Sequence, residues 1–396
     1  MTFTYMAKRK VHSSEHRVYI KLEHWKKITD LRLLEHFMLP LKRKFPLFSF
    51  LYPKTKALYN RMPLRKNGEN PFAHPLNTIL NLLKAGVKDE VILCAALVHD
   101  YVEEQVDLFR DEHKINEKTA KGIRRLDDFE REVFITFEEE ILIFCKRRKI
   151  DLKKGKKIIA TTRLLTRHKR DFYYRSIINI FTHHNTEIKE NAILIKLADR
   201  LHNVLTIGNF NEAERNYQCF KNMFILNSVK RYLKNKHGKM IFEDNVLNPL
   251  DKLFKKNAKA TYPAFLEICH LCTAKGLIEV TPMIQLALKK FALETEGMWE
   301  VTKLNKHEKH LMCLFQGVIR KYDYRLHHEK NKFKKRTLKE IEYVKKFFVE
   351  HKFNDEQINA IIDYKDAYGM KEVIGYLLYE KDYSIAGFEY SGLFER

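Results

Sequence analysis

The chain is expected to be all-α, and three observations carry that expectation. Apolar residues recur at three- and four-residue spacing over most of the length, and no stretch sustains the alternation of a strand. Gly (13) and Pro (9) are scarce among 396 residues, which disfavours a turn-rich β architecture.

In chain order, NTILNLLKAGV (77–87), DEVILCAALVHDYVEE (89–104), FYYRSIINIF (172–181) and KENAILIKLADRLHNVL (189–205) carry the helical period. EAERNYQCFKNMFILNSVKRYL (212–233), PMIQLALKKFALE (282–294), LKEIEYVKKFFVEH (338–351) and DEQINAIIDYKDAY (355–368) do the same. Start signals agree: Pro75 suits a first helical position, Asp89 precedes the second helix, and Asn354 precedes the last. No internal repeat is found. A basic helical extension is expected over 1–44, a first domain over 45–235 with a charged insertion at about 105–157, and a helical C-terminal domain of unassigned role over 236–396.

Apolar content of 45% is ordinary for a globular protein, and charged residues at 32% exceed the usual quarter. Six scattered cysteines point to a reducing compartment rather than a disulfide framework. The opening MTFTYMAKRKVHSSEHRVYI has no long apolar core, so no signal peptide is read there. No window of about 18 residues is free of charge, so no transmembrane segment is expected, and the predicted location is cytoplasmic. The formal charge of +23 favours polyanionic partners: nucleic acid, an acidic membrane surface or a highly phosphorylated small molecule. The dense basic runs, KRRKIDLKKGKK (146–157) and RKYDYRLHHEKNKFKKR (320–336), read first as solvated faces.

Polar residues in the apolar helices carry the chemistry. His74 stands just before Pro75, and the adjacent pair His99–Asp100 lies late in an apolar helix, where burying both without a partner is costly. Glu103 follows His99 by four residues and Glu104 follows Asp100 by four, so each pair shares a face of a continuous helix. Asp199, Asn203 and Thr206 form one stripe on the 189–205 helix. Two imidazoles and two carboxylates from three helices make a mixed N/O donor set, which suits Mn²⁺ or Fe²⁺ and also admits Zn²⁺.

The ordered set His74, His99–Asp100 and Asp199 resembles the HD superfamily of metal-dependent phosphohydrolases, an all-α helical bundle. RKNGENPFAHP (65–75), AALVHDYVEE (95–104) and IKLADRLHNVLT (195–206) are similar to the hydrolase domain of RelA/SpoT proteins, the alarmone enzymes. The resemblance spans roughly 57–235, and Arg65 stands nine residues before His74, as in that family. It implies His74, His99, Asp100 and Asp199 as ligands of Mn²⁺, and Glu103 and Glu104 as the catalytic acidic pair. It further implies Arg65 and Lys66 packed on a guanine ring, with Asn203 and Thr206 near the nucleotide sugar and the metal. The implied reaction is hydrolysis of the 3′-diphosphate of (p)ppGpp to GDP or GTP and pyrophosphate, so a guanine nucleotide is the implied substrate.

One departure concerns the acidic pair, which is Glu-Asp in the family and Glu103–Glu104 here. Another is the stretch 104–165, which is longer and more basic than the family pattern. Residues 236–396 resemble neither the alarmone synthetase domain nor its regulatory domains. Two rivals stay open: the same site acting on another nucleotide or phosphorylated dinucleotide, and a basic nucleic-acid-binding protein that uses the HD fold as a scaffold. Cys269 and Cys272 (CHLC) read as buried helix residues, because no second Cys pair follows at zinc-ribbon spacing. The pair in HEKH (307–310) and the pairs His183–His184 and His327–His328 carry no ligand pattern.

Overall fold

The structure is a computed structural model that describes residues 27–65, 68–237, 247–277, 279–284, 287–288, 291, 311–380 and 382–385. Among the described residues there are fourteen α-helices and no strand, as the helical periodicity predicts. Lys66, the HEKH segment, residues 1–26 of the expected extension and most of 285–294 lie outside the described residues. No helix among the described residues is long and apolar enough to cross a membrane.

Two compact units divide these residues. The first takes in those between Trp25 and Asn209, with the start of a later helix up to Asn257. Its helices are α1 (Leu31–Lys44), α2 (Pro46–Tyr59), α3 (Ala73–Ala85), α4 (Glu90–Leu97), α5 (Tyr101–Glu112), α6 (Ala120–Arg147), α7 (Leu152–Leu165), α8 (Tyr173–Thr182) and α9 (Thr186–Leu205). At the centre is α9, buried nearly all round from Ile188 to Val204, and it packs on α3, α4, α7 and α8. Enclosure by these neighbours carries polar residues of α9, Asp199 and His202 among them, into the interior.

Local chemistry sets the ends of these helices. Asp89 caps α4 by accepting from the Ile92 N–H at 3.1 Å, and Asn185 caps α9 through the Ile188 N–H at 3.1 Å. Gly86, at φ 99°, closes α3 in the left-handed region that favours glycine. The start of α3 lies at Ala73 rather than at Pro75, because the turn Asn70–Ala73 leads straight into it. The charged stretch 105–157 is helical as well: α5 packs on α6 through Val102, Val106, Leu126, Val133 and Phe134, with Phe109 stacked on Phe129. Lys146, Arg147, Arg148 and Lys149 are exposed, as a solvated basic face requires.

The second unit comprises α10 (Glu212–His237), the greater part of α11 (Pro249–Ala274), α12 (Leu311–Leu326), α13 (Lys330–Phe347) and α14 (Asp355–Tyr379). The sequence placed 212–235 at the end of the first domain, whereas α10 packs with the second unit. Asn216 Nδ2 donates to the Asp363 carbonyl at 3.3 Å, and Lys230 Nζ donates to the carbonyls of Leu377 (2.9 Å) and Glu380 (2.6 Å) at the end of α14. Asn354 caps α14 in a reciprocal capping box with Gln357. Cys272 is buried in an apolar cluster with Leu277, Ile284 and Phe348. Lys321 departs from the expected solvated run. It is buried, 2.9 Å from Glu340 and 2.6 Å from Asp366, and Lys365 pairs with the other Glu340 oxygen.

Candidate metal centre and active site

Three segments of the first unit deliver the predicted donors. His74 is the second residue of α3 and is held there as the turn ends, its N–H donating to the Pro71 carbonyl at 3.1 Å. His99 and Asp100 do not lie on one continuous helix. The helix breaks after Leu97, with Val98 at φ −108°, ψ 13° and Asp100 at φ −103°, ψ 3°, and α5 begins at Tyr101. On a continuous helix neighbouring side chains diverge by about 100°. The break instead brings His99 Nε2 and Asp100 Oδ2 to 3.1 Å. Asp100 occupies the N-cap position of α5, yet its carboxylate accepts no helix N–H and turns to the imidazoles.

Four donor atoms converge. His99 Nε2 lies 3.3 Å from His74 Nε2, and His74 Nε2 lies 3.4 Å from both Asp100 Oδ2 and Asp199 Oδ1. Ligand atoms of His74, His99 and Asp199 all fall within 4.8 Å of one another, and all three residues are buried. His99 Nδ1 is 2.8 Å from the Ala96 carbonyl, which can only accept, so that nitrogen carries a proton. In the neutral ring the lone pair is then on Nε2, facing the other donors.

Charges around the cluster are strongly displaced. Burial works to lower the His99 pKa, but Asp100 and Asp199 outweigh it and hold it at about 9. Burial also opposes ionisation of Asp100 and Asp199, and is overcome by His99 and His74 for the first and by Lys196 and His74 for the second. Both carboxyls therefore stay well below the ordinary range. A buried site with ionised carboxylates beside imidazole nitrogens offers the charge and the donors that could hold a divalent cation. The residues fit such an ion.

Their surroundings hold them in place. Asp199 accepts from Asn203 Nδ2 at 2.8 Å and pairs with Lys196 Nζ at 2.9 Å. His202 Nδ1 lies 2.8 Å from His74 Nδ1, so one nitrogen donates to the other and the His74 ring is fixed in orientation. Burial, with the nearby His74 and Arg65, keeps His202 well below its ordinary pKa and hence neutral. Neither Lys196 nor His202 belongs to the predicted set. Their signal was a cation three residues before Asp199 and a histidine three residues after it on an apolar helix.

The other predicted residues fall as follows. Glu103 is partly exposed, with Arg167 Nη2 at 3.5 Å and Lys169 Nζ at 3.8 Å. Burial and the carboxylates of Asp100, Asp107 and Glu103 push Glu104 up to about 8. Arg65 sits in the loop before α3, where its N–H donates to the Glu69 carbonyl at 3.0 Å and its charge acts on Tyr59 and His202. Thr206 caps α9, and its hydroxyl donates to the Asn203 carbonyl at 3.1 Å. Lys66 lies outside the described residues.

No family model matches the chain, and no solved structure matches it. Two curated proteins do, each named a probable guanosine-3′,5′-bis(diphosphate) 3′-pyrophosphohydrolase. The protein of Mycoplasma genitalium is 29% identical over 160 residues, covering 40% of this chain and 18% of the relative. The protein of Mycoplasma pneumoniae is 32% identical over 144 residues, covering 36% of this chain and 16% of the relative. The match thus spans less than a fifth of either relative's length. Over about two fifths of its own length, this chain is similar to hydrolases of the RelA/SpoT type.

Proposed function

We propose that this chain is a Mn²⁺-dependent phosphohydrolase that cleaves the 3′-diphosphate of (p)ppGpp, releasing pyrophosphate and GDP or GTP. The observation that carries the reading is the convergence of His74, His99, Asp100 and Asp199 from three separate segments, with His74 Nε2 within 3.3–3.4 Å of a donor atom of each of the other three and His99 Nε2 3.1 Å from Asp100 Oδ2. A divalent cation bound there supplies Lewis acidity to the phosphate and favours deprotonation of water.

The chain's own residues supply the rest. The Glu103 carboxylate, steadied by Arg167 and Lys169, orients a water molecule and accepts its proton as the new phosphorus–oxygen bond forms. The bond from phosphorus to O3′ breaks, and the leaving oxygen takes a proton from Glu104, whose carboxyl is pushed up by burial and by neighbouring carboxylates. Asn203 and Lys196 hold Asp199 in place, and His202 holds His74. Arg65, in the loop before α3, and Lys66 are assigned to the guanine ring on the family resemblance. Arg167 and Lys169 are cations beside the acidic pair and attract a substrate rich in phosphate.

The test is incubation of the purified protein with ppGpp and Mn²⁺, with an EDTA control, and separation of products by anion exchange. Release of GDP and pyrophosphate that EDTA abolishes is the expected result. Uncleaved ppGpp in the presence of Mn²⁺ refutes the substrate assignment, and a fully active Asp100→Ala protein refutes the ligand assignment.

A further inference from the structure

Between α7 and α8 the chain runs through Arg167, His168, Lys169 and Arg170. Their side chains alternate between two helices. Arg167 Nη2 and Lys169 Nζ turn to α5, 3.5 and 3.8 Å from Glu103 Oε1, and Lys169 Nζ also pairs with Asp107 at 2.8 Å. His168 and Arg170 turn to α6. His168 Nδ1 donates to Glu130 Oε1 at 2.5 Å, and Arg170 Nη1 pairs with Asp127 at 2.7 Å. A turn closes at His168, whose carbonyl accepts from the Asp171 N–H at 3.0 Å. Neighbouring Cα atoms are about 3.8 Å apart, so pinning His168 confines Arg167 and Lys169 on either side of it.

The place of Glu130 is what singles out this contact. It is 6% exposed and stands on the buried stripe of α6 with Leu126, Val133, Phe134 and Phe137. An apolar side chain would suit that stripe, and replacing a buried ion pair by apolar groups is often neutral or stabilising. The packing of α6 therefore does not require the acid. Its hydrogen bond to His168 raises the pKa of the ring and favours the charged partner. Asp127 is only half-buried and Arg170 is exposed, so the buried hold of α6 on this segment is the one at His168.

We propose that Glu130, acting through His168, is a positioning residue for Glu103: it pins the segment 167–170 so that Arg167 and Lys169 stay on the Glu103 carboxylate. The proposal rests on the phosphohydrolase reading above and adds to it a residue outside the metal donors and the acidic pair.

The experiment compares the full-length chain with Glu130→Gln, His168→Gln and Glu103→Gln, and with two double variants that join Glu130→Gln to each of the others. Hydrolysis of ppGpp with Mn²⁺ gives kcat and KM, titration calorimetry gives Mn²⁺ affinity, and thermal melting checks the fold. The expected result is a kcat about 10–100-fold lower in Glu130→Gln and in His168→Gln, with KM and Mn²⁺ affinity unchanged. The Glu130/His168 double variant should lose no more than either single one, and Glu130→Gln should cost nothing further once Glu103 is replaced. Losses that multiply in either double variant overturn the link to Glu103 through His168. Full kcat in either single variant, with the wild type active, overturns the role of Glu130 alone. A loss confined to protein that is unfolding at the assay temperature, or matched by a loss of Mn²⁺ affinity, overturns it in favour of a structural role. Wild-type protein that leaves ppGpp uncleaved in Mn²⁺ overturns the phosphohydrolase reading, and the positioning role with it.

Discussion

Replacing Asp199 by Asn separates the metal role of this residue from its structural one. The change keeps the shape and removes one charge from a side chain that contacts Lys196 at 2.9 Å, Asn203 at 2.8 Å and His74 at 3.4 Å. At an effective dielectric of about 20, the Lys196 attraction alone is roughly 6 kcal/mol in gross Coulomb terms. Desolvation of both buried groups offsets most of that, leaving about 1.5–3 kcal/mol, the usual worth of a hydrogen bond to a charged group. Without metal, the variant's first unit should melt about 3–12 °C lower, at about 2–4 °C per kcal/mol for a unit of this size. With metal the prediction is sharper. Mn²⁺ at about 100 times its dissociation constant stabilises the wild type by about 2.7 kcal/mol, or about 5–10 °C. The variant should show little of that shift, because the anion in the donor set is gone and the Lys196 ammonium next to it is uncompensated. The assay is calorimetric melting of both proteins with Mn²⁺ and with EDTA. A variant with the full wild-type Mn²⁺ shift refutes the assignment of Asp199 as a ligand, and an unchanged melting point in EDTA refutes the energetic weight given to Lys196.

Four further outcomes follow from the geometry. Asn203→Ala removes the donor that orients Asp199 and should weaken Mn²⁺ binding about 10-fold or more, read by titration calorimetry. Glu340→Gln breaks a buried network in which Lys321 and Lys365 share one carboxylate, and should cost about 3–5 kcal/mol in urea denaturation of the second unit. The same residue sets an acid limit. Burial opposes its ionisation, but Lys321 and Lys365 hold its pKa at about 2, so the unfolded chain binds the proton more readily. Stability from this pair is full above about pH 4.5 and is lost as pH falls toward 2, by about 3 kcal/mol, and acid titration of the wild type against Glu340→Gln should show the difference in slope. Gly122→Ala at the start of α6 would place a Cβ 2.0 Å from the Asn116 carbonyl oxygen. The backbone must shift, so the variant should melt lower despite the roughly 1 kcal/mol of helix propensity gained, and a higher melting point would refute the close approach.

The helical class and the positions of the donors were legible in the sequence. Three- and four-residue spacing is a local property, and an imidazole or carboxylate inside an apolar helix is conspicuous because burying it unpaired is costly. His99 and Asp100 stood out as candidates on that ground, and the resemblance to the HD superfamily joined them to His74 and Asp199; the capping positions of Asp89 and Asn354 were local signals as well. Tertiary structure decided what depends on the direction of a side chain or on contact at a distance. The break at Val98–Asp100, which turns two neighbouring side chains to one point, is invisible to a periodicity that runs unbroken through AALVHDYVEE. The same holds for the contact of His202 with His74, which are 128 residues apart. Helix α10 reads like any other helical segment, and only its tertiary contacts, hydrogen bonds to Asp363, Leu377 and Glu380 among them, assign it to the second unit. Local periodicity reports which faces are apolar, and it carries no record of which distant residue each face will meet.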